Sequence, residues 1–234
     1  MKKSRILAMT TAGMLAVGCL AFGGPALSGG LTETAEAASN TTVITKYLKQ
    51  FKKQNFKKAY KTLKKLKASN KDTSLKKMTK KQKKAYKKIV KKYIKQVPAL
   101  SDQPGTLDGY YLVDLNKDKV PELLLKYGAD ESEKTTDVYT LKNNKASKAG
   151  TISSGHSVYM AYPGKGVLVL WGHMGECTVS AISMKNGKLV RKEYGSQEVK
   201  IGQEYCLPSE DNLLYGHVIT SNDGSNSYDL KDLK

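Results

Sequence analysis

The stretch GYYLVDLNKDKVPELLLKY, Gly109 to Tyr127, decides how the C-terminal part of this chain is read. Its two ends, GYYLVDL (Gly109–Leu115) and ELLLKY (Glu122–Tyr127), are strand-like, rich in the Tyr, Val and Leu that suit a pleated, half-buried surface. The join between them puts short oxygen-bearing side chains at alternate positions, Asp114, Asn116 and Asp118, and then Glu122. On a curled backbone such alternating side chains converge on one point, and the Val120 carbonyl is placed to add a further oxygen. Hard cations such as Ca²⁺ take six to eight oxygen ligands of this kind. The same residues suit a second device. Asp and Asn side chains accept from the backbone two residues on and cap a turn with no metal at all. Both readings stay open on these residues alone.

The loop is not an EF-hand. That loop wants Gly at its sixth position and Glu at its twelfth, between helices. Here the sixth is Lys119, the twelfth is Leu125, and strands flank it. The form D-x-N-x-D-x-x-x-E-L instead resembles the short calcium loop of VCBS/FG-GAP-type repeats. It is similar to a segment recurring in uncharacterised exported proteins of clostridial Gram-positive bacteria. The resemblance covers Tyr110 to Tyr127 and, loosely, the strands that follow. It implies a calcium-stabilised β domain with Asp114, Asn116, Asp118 and Glu122 as ligands, and it implies no activity. Lys119 stands where that pattern has glycine.

Downstream, the chain alternates strands and turns. TDVYTLKNNKASKAG (Thr136–Gly150) and VSAISMKNGKLVRKEYG (Val179–Gly195) share one plan, two strands around a Lys-Asn-Asn/Gly-Lys turn. Asn186-Gly187 is a strong two-residue hairpin signal and Asn143-Asn144 a weaker copy. Ser157 to Gly172 reads as a further hairpin turning at Pro163-Gly164. Candidate strands at Glu198–Ile201, Leu213–Thr220 and Ser225–Leu230 complete an antiparallel β-meander, sandwich-like or partly propeller-like.

The N-terminal half is different in kind. Val43 to Pro98 holds 22 lysines and one acid, Asp72, whereas Ala99 to Lys234 holds 15 basic and 18 acidic residues. This shift predicts a boundary near Pro98. Apolar residues recur at helical spacing through Ile44, Tyr47, Leu48 and Phe51, and again through Phe56, Ala59, Tyr60 and Leu63. The misfit between the two stripes predicts a bend at Gln54-Asn55. Met78 to Val97 is a further amphipathic helix, with Thr79 and Gln82 in capping-box spacing. The fold class expected is therefore α+β, Lys-rich antiparallel helices followed by the meander. The lysine faces are either simply solvated or contact an anionic polymer, such as cell-wall polymer or another polyanion. The segment has no arginine, which argues against base-specific nucleic-acid recognition.

Residues 1–37 are expected to be a signal peptide: a basic start at Lys2, Lys3 and Arg5, an apolar run Ile6–Phe22, and a small-residue cleavage site at Ala35-Glu36-Ala37. Cleavage there leaves 38–98 as the helical module and 99–234 as the β domain, with the loop at 114–122, and no later segment long and apolar enough to span a bilayer. Lipidation at Cys19 is the less favoured route. The export expectation permits Cys177 and Cys206 to pair.

His156, His173 and His217 match no metal-ligand spacing, and no carboxylate pair or phosphate loop stands out. The composite reading is an exported, non-enzymatic binding or scaffold protein of the cell envelope. A secreted hydrolase with dispersed catalytic residues is the alternative.

Overall fold

The chain is described here from a computed structural model. It covers residues 28–69, 71–72, 74–97, 106–200, 203, 207–214, 217–218 and 230–234, with side chains from 38 onward except at 217, 218 and 231. Three helices precede nine strands: α1 Ser28–Lys52, α2 Phe56–Leu63, α3 Lys80–Lys95, β1 Thr106–Val113, β2 Glu122–Gly128, β3 Thr135–Lys142, β4 Lys145–Ser153, β5 Ser157–Tyr162, β6 Gly166–His173, β7 Glu176–Lys185, β8 Lys188–Glu198 and β9 His217–Val218. The fold is α+β with an antiparallel meander, as expected. Residues 1–27, Cys19 included, lie outside the described residues. α1 runs through the expected cleavage point at Ala37. Among the described residues no helix is long and apolar enough to cross a membrane.

The bend falls where the stripe breaks. Gln54 takes a positive φ of 55°, and α2 folds back along α1. Asn40 fastens the open end of this hairpin, giving its amide to the Lys67 carbonyl and taking the Lys67 N–H, both at 3.0 Å. The capping box of α3 is complete. Gln82 N–H donates to Thr79 Oγ1 at 3.3 Å, and Thr79 N–H donates to Gln82 Oε1 at 2.8 Å. Both satisfy donors that a helix start otherwise leaves open.

The strands form two antiparallel sheets, β4-β3-β2-β1-β9 and β5-β6-β7-β8. Asn143, Asn144, Asn186 and Gly187 all have positive φ, 52°, 59°, 52° and 73°. That is the backbone of tight hairpin turns whose twist matches the strands. Of the later candidates, Glu198 ends β8, the described residues of Leu213–Thr220 include β9, and residues 201, 215, 216, 219, 220 and 225–229 lie outside the described residues.

Burial follows the two-residue strand period into four layers. Leu124 of β2 and Val167 and Val169 of β6 point into the space between the sheets. Leu168 and Leu170 point the other way, onto Ile44, Tyr47, Leu48 and Phe51 of α1. Leu123, Leu125 and Tyr127 face outward from the first sheet onto Tyr86, Val90 and Tyr93 of α3. The helices therefore do not form one bundle. The α1–α2 hairpin covers one sheet and α3 covers the other. The composition boundary at Pro98 separates helices from strands along the chain, yet both outer cores are shared across it. With cover on both faces, every residue of β2 is buried.

The tyrosines of α3 do more than fill space. Tyr86 hydroxyl donates to the Pro121 carbonyl at 2.8 Å, and Tyr93 hydroxyl donates to Asp137 Oδ2 at 2.5 Å. Lys148 pairs with the same Asp137 oxygen at 2.7 Å. Buried tyrosines ordinarily find such partners. Here those contacts fix α3 over the end of the 114–122 loop.

Candidate cation-binding loop

The loop leaves β1 at Val113 and enters β2 at Glu122. Two of its lysines, Lys117 (φ 71°) and Lys119 (φ 67°), take left-handed backbone that costs an L-residue about 1–2 kcal/mol. Hydrogen bonds offset that cost. Asp114 Oδ1 accepts the Lys117 N–H at 2.7 Å and its Oδ2 accepts the Lys119 N–H at 3.1 Å. Asn116 Oδ1 accepts the Asp118 N–H at 2.9 Å, and Asp118 Oδ1 accepts the Val120 N–H at 2.7 Å. The side chains thus do cap their own backbone.

They also converge. Glu122 Oε2 accepts the Leu115 N–H at 2.7 Å, and Oε1 accepts Thr140 Oγ1 at 2.9 Å and Asn116 Nδ2 at 3.1 Å. The same Asn116 amide donates to Asp118 Oδ2 at 3.1 Å. Asn116, Asp118 and Glu122 therefore meet around one nitrogen. Asp114 lies beneath them, fully buried, and Val120 takes part through its N–H.

One residue of the site escaped the sequence reading. Asp72, the sole acid of the lysine segment, is 4% exposed. Its Oδ2 accepts the Asp114 N–H at 3.1 Å, and its Oδ1 accepts Ser74 N–H at 3.0 Å and Ser74 Oγ at 2.6 Å. Lys76 N–H adds a bond to the Lys119 carbonyl at 2.6 Å. The linker between α2 and α3 is thereby docked on the loop. The one signal in the sequence was the isolation of that acid among 22 lysines.

The electrostatics are unbalanced. Glu122 is 2% exposed, and burial pushes its carboxyl up to about 7, with its hydrogen bonds to Leu115 and Thr140 opposing and Asp118 and Asp114 adding to the rise. Burial also raises Asp114, against the pull of the Lys117 and Lys119 N–H groups and with a further push from Asp72 and Asp118. Tyr86 is held above the ordinary tyrosine range by burial first and by Glu122 and Asp118 after it. Lys117 and Lys119 are exposed, and among the described residues neither pairs with these carboxylates.

A divalent cation fits this donor set in charge and in chemistry, since Ca²⁺ prefers carboxylate and amide oxygens. It needs rearrangement of the side chains. The Asn116 amide must turn so that Oδ1 rather than Nδ2 faces Asp118 and Glu122, giving up the Asp118 N–H. As the side chains stand, no three His, Cys, Asp or Glu groups among the described residues form a preformed metal site.

The other sequence candidates lie elsewhere. His156 and His173 stack, with ring centroids 4.0 Å apart and planes 8° from parallel. The His217 side chain lies outside the described residues. Cys177 is a buried free thiol whose Sγ lies 3.7 Å from Gln197 Oε1, while Cys206 lies outside the described residues. No protein-family model, curated protein or solved structure matches the chain.

Proposed function

We propose that this is an exported, non-enzymatic binding or scaffold protein of the cell envelope, with a calcium-stabilised β domain and a cationic helical surface for anionic polymer. The observation that carries the calcium half is the crowding of Asp72, Asp114, Asp118 and Glu122 at one loop, with Glu122 forced up to about 7. Burial first, and the neighbouring carboxylates after it, disfavour the charged form of Glu122, and either a proton or a cation relieves that, with the exposed Asp118 adding its charge beside it. Asp114, Asn116, Asp118 and Glu122 would hold the ion through side-chain oxygens and Val120 through its carbonyl. The ion supplies charge neutralisation and rigidity, not chemistry.

The binding half rests on charge. α3 carries nine lysines and no acid in 16 residues. Such a surface attracts polyanions with an affinity that falls steeply with salt.

Thermal melting in calcium and in chelator tests the first half. A rise in melting temperature with calcium that disappears in Asp114→Ala is expected. Equal melting of wild type in both conditions refutes it. Retention on an anionic resin that collapses with moderate salt is expected for the second half, and passage without retention refutes that.

A further inference from the structure

The proposed function places the anionic partner on the outer faces of the helices. The fold assembles a better cation cluster elsewhere. A cleft of about 530 Å³ opens between α1 and the second sheet. Five ammonium groups line it, Lys49 and Lys52 from α1, Lys117 from the loop, Lys165 from the β5–β6 turn and Lys192 from β8. No acid lines it. The volume lies within the ordinary range of ligand pockets.

These charges are unspent. Three other lysines of the strand half are paired, Lys126 with Glu131, Lys134 with Asp108 and Lys148 with Asp137. Among the described residues none of the five cleft lysines makes an ion pair. Two of them are nonetheless held in place. Lys165 Nζ donates to Thr45 Oγ1 at 3.1 Å and to Tyr162 Oη at 3.3 Å, and it lies 5.1 Å from the Tyr162 ring centre. Lys192 Nζ lies 5.2 Å from the Tyr194 ring centre. Pre-positioned donors lose less side-chain freedom on binding. The cluster is also a product of tertiary structure. Its members come from four separate places in the chain, and the Met184 N–H to Leu115 carbonyl bond, 2.7 Å, ties the loop bearing Lys117 to β7 on the cleft wall.

The geometry points to a base-free phosphodiester chain, such as a polyol phosphate, seated in this cleft on Lys49, Lys52, Lys117, Lys165 and Lys192. This rests on the anionic-polymer reading and moves its centre from the helix surface to the cleft. Several point charges around one concavity suit a ligand with repeated single negative charges on a pliant backbone. Nucleic acid is disfavoured because the aromatic faces that would stack bases are turned toward ammonium groups. A membrane is disfavoured because the charges line a recess.

Titration calorimetry of the full chain with poly(glycerol phosphate), at a series of salt concentrations, tests this. Lys165→Gln with Lys192→Gln is expected to bind about tenfold more weakly near 0.1 M salt and to lower the salt slope by about two. Lys49→Gln with Lys52→Gln, two exposed changes on α1, gives the same loss without touching the sheet. Lys88→Gln with Lys91→Gln on α3 is expected to bind as wild type. Unaltered binding by both cleft pairs overturns the cleft, and if the α3 pair alone weakens binding, the helix-surface reading survives it. No binding by wild type removes both. Equal affinity for single-stranded DNA, for phosphatidylglycerol vesicles or for a carboxylate polysaccharide overturns the assignment to a base-free polyol phosphate chain.

Discussion

Replacing Glu122 with Gln separates the charge of the loop from its shape. Gln is isosteric with the protonated acid but does not ionise. In the folded chain the Glu122 carboxyl sits near 7 against an ordinary value of 4.5. The fold therefore holds a proton that the unfolded chain has released between those two values. Stability contributed by this group is complete below about pH 4.5, falls as pH rises through 7, and is level above it. The shift corresponds to about 3 kcal/mol lost by the metal-free wild type across that window. Glu122→Gln removes the loss. It introduces a smaller cost, because Leu115 N–H, Thr140 Oγ1 and Asn116 Nδ2 all donate to the carboxylate, and an amide cannot accept at both ends. That misfit costs about 1–2 kcal/mol. In chelator wild type has already lost nearly 1 kcal/mol at pH 5, so the variant is expected to be less stable there by at most about 1 kcal/mol and more stable at pH 8 by about 2 kcal/mol.

Calcium adds a second sign. With a dissociation constant of about 0.1 mM and millimolar calcium, wild type gains about 1.4 kcal/mol at pH 8. That gain fades as pH falls through about 7 and is nearly gone by pH 5, where protons hold Glu122 instead. The variant gains little at either pH. Urea unfolding followed through Trp171, the chain's one tryptophan, reads all four conditions. A wild type whose metal-free stability does not fall between pH 5 and 8 refutes the strained-carboxylate account. A variant with the wild-type pH slope refutes the assignment of that slope to Glu122.

Three further outcomes follow from the same contacts. Asp72→Ala leaves the buried Asp114 N–H and the Ser74 N–H without their acceptor and is expected to lower stability in chelator by about 2 kcal/mol; an unchanged urea midpoint would show that the linker does not dock on the loop. Lys119→Gly relieves the 67° φ while keeping the N–H that Asp114 accepts, so the urea midpoint should rise by about 1 kcal/mol in stability, and a fall would show that the lysine side chain matters there. Burial pushes the Cys177 thiol up to about 11, so alkylation at pH 8 followed by peptide mapping should find it protected in the native chain and labelled in urea; rapid native labelling contradicts its burial.

Local pattern alone determined much of this protein. The break at Gln54-Asn55, the Thr79–Gln82 cap, the Asn143-Asn144 and Asn186-Gly187 turns and the oxygen-bearing loop are written in neighbouring residues, because each depends on backbone preference or on hydrogen bonds spanning a few positions. Long-range packing decided the rest. The helical stripes gave no sign that α3 would settle on the opposite side of the strands from α1 and α2, since an apolar stripe specifies burial but not a partner. The continuous apolar run of β2 became intelligible only once both faces were covered. Asp72 was legible as an oddity of charge, yet its place against Asp114 required the linker to cross onto the loop. The lysines of the cleft looked like scattered solvated charge until four distant parts of the chain brought them around one recess.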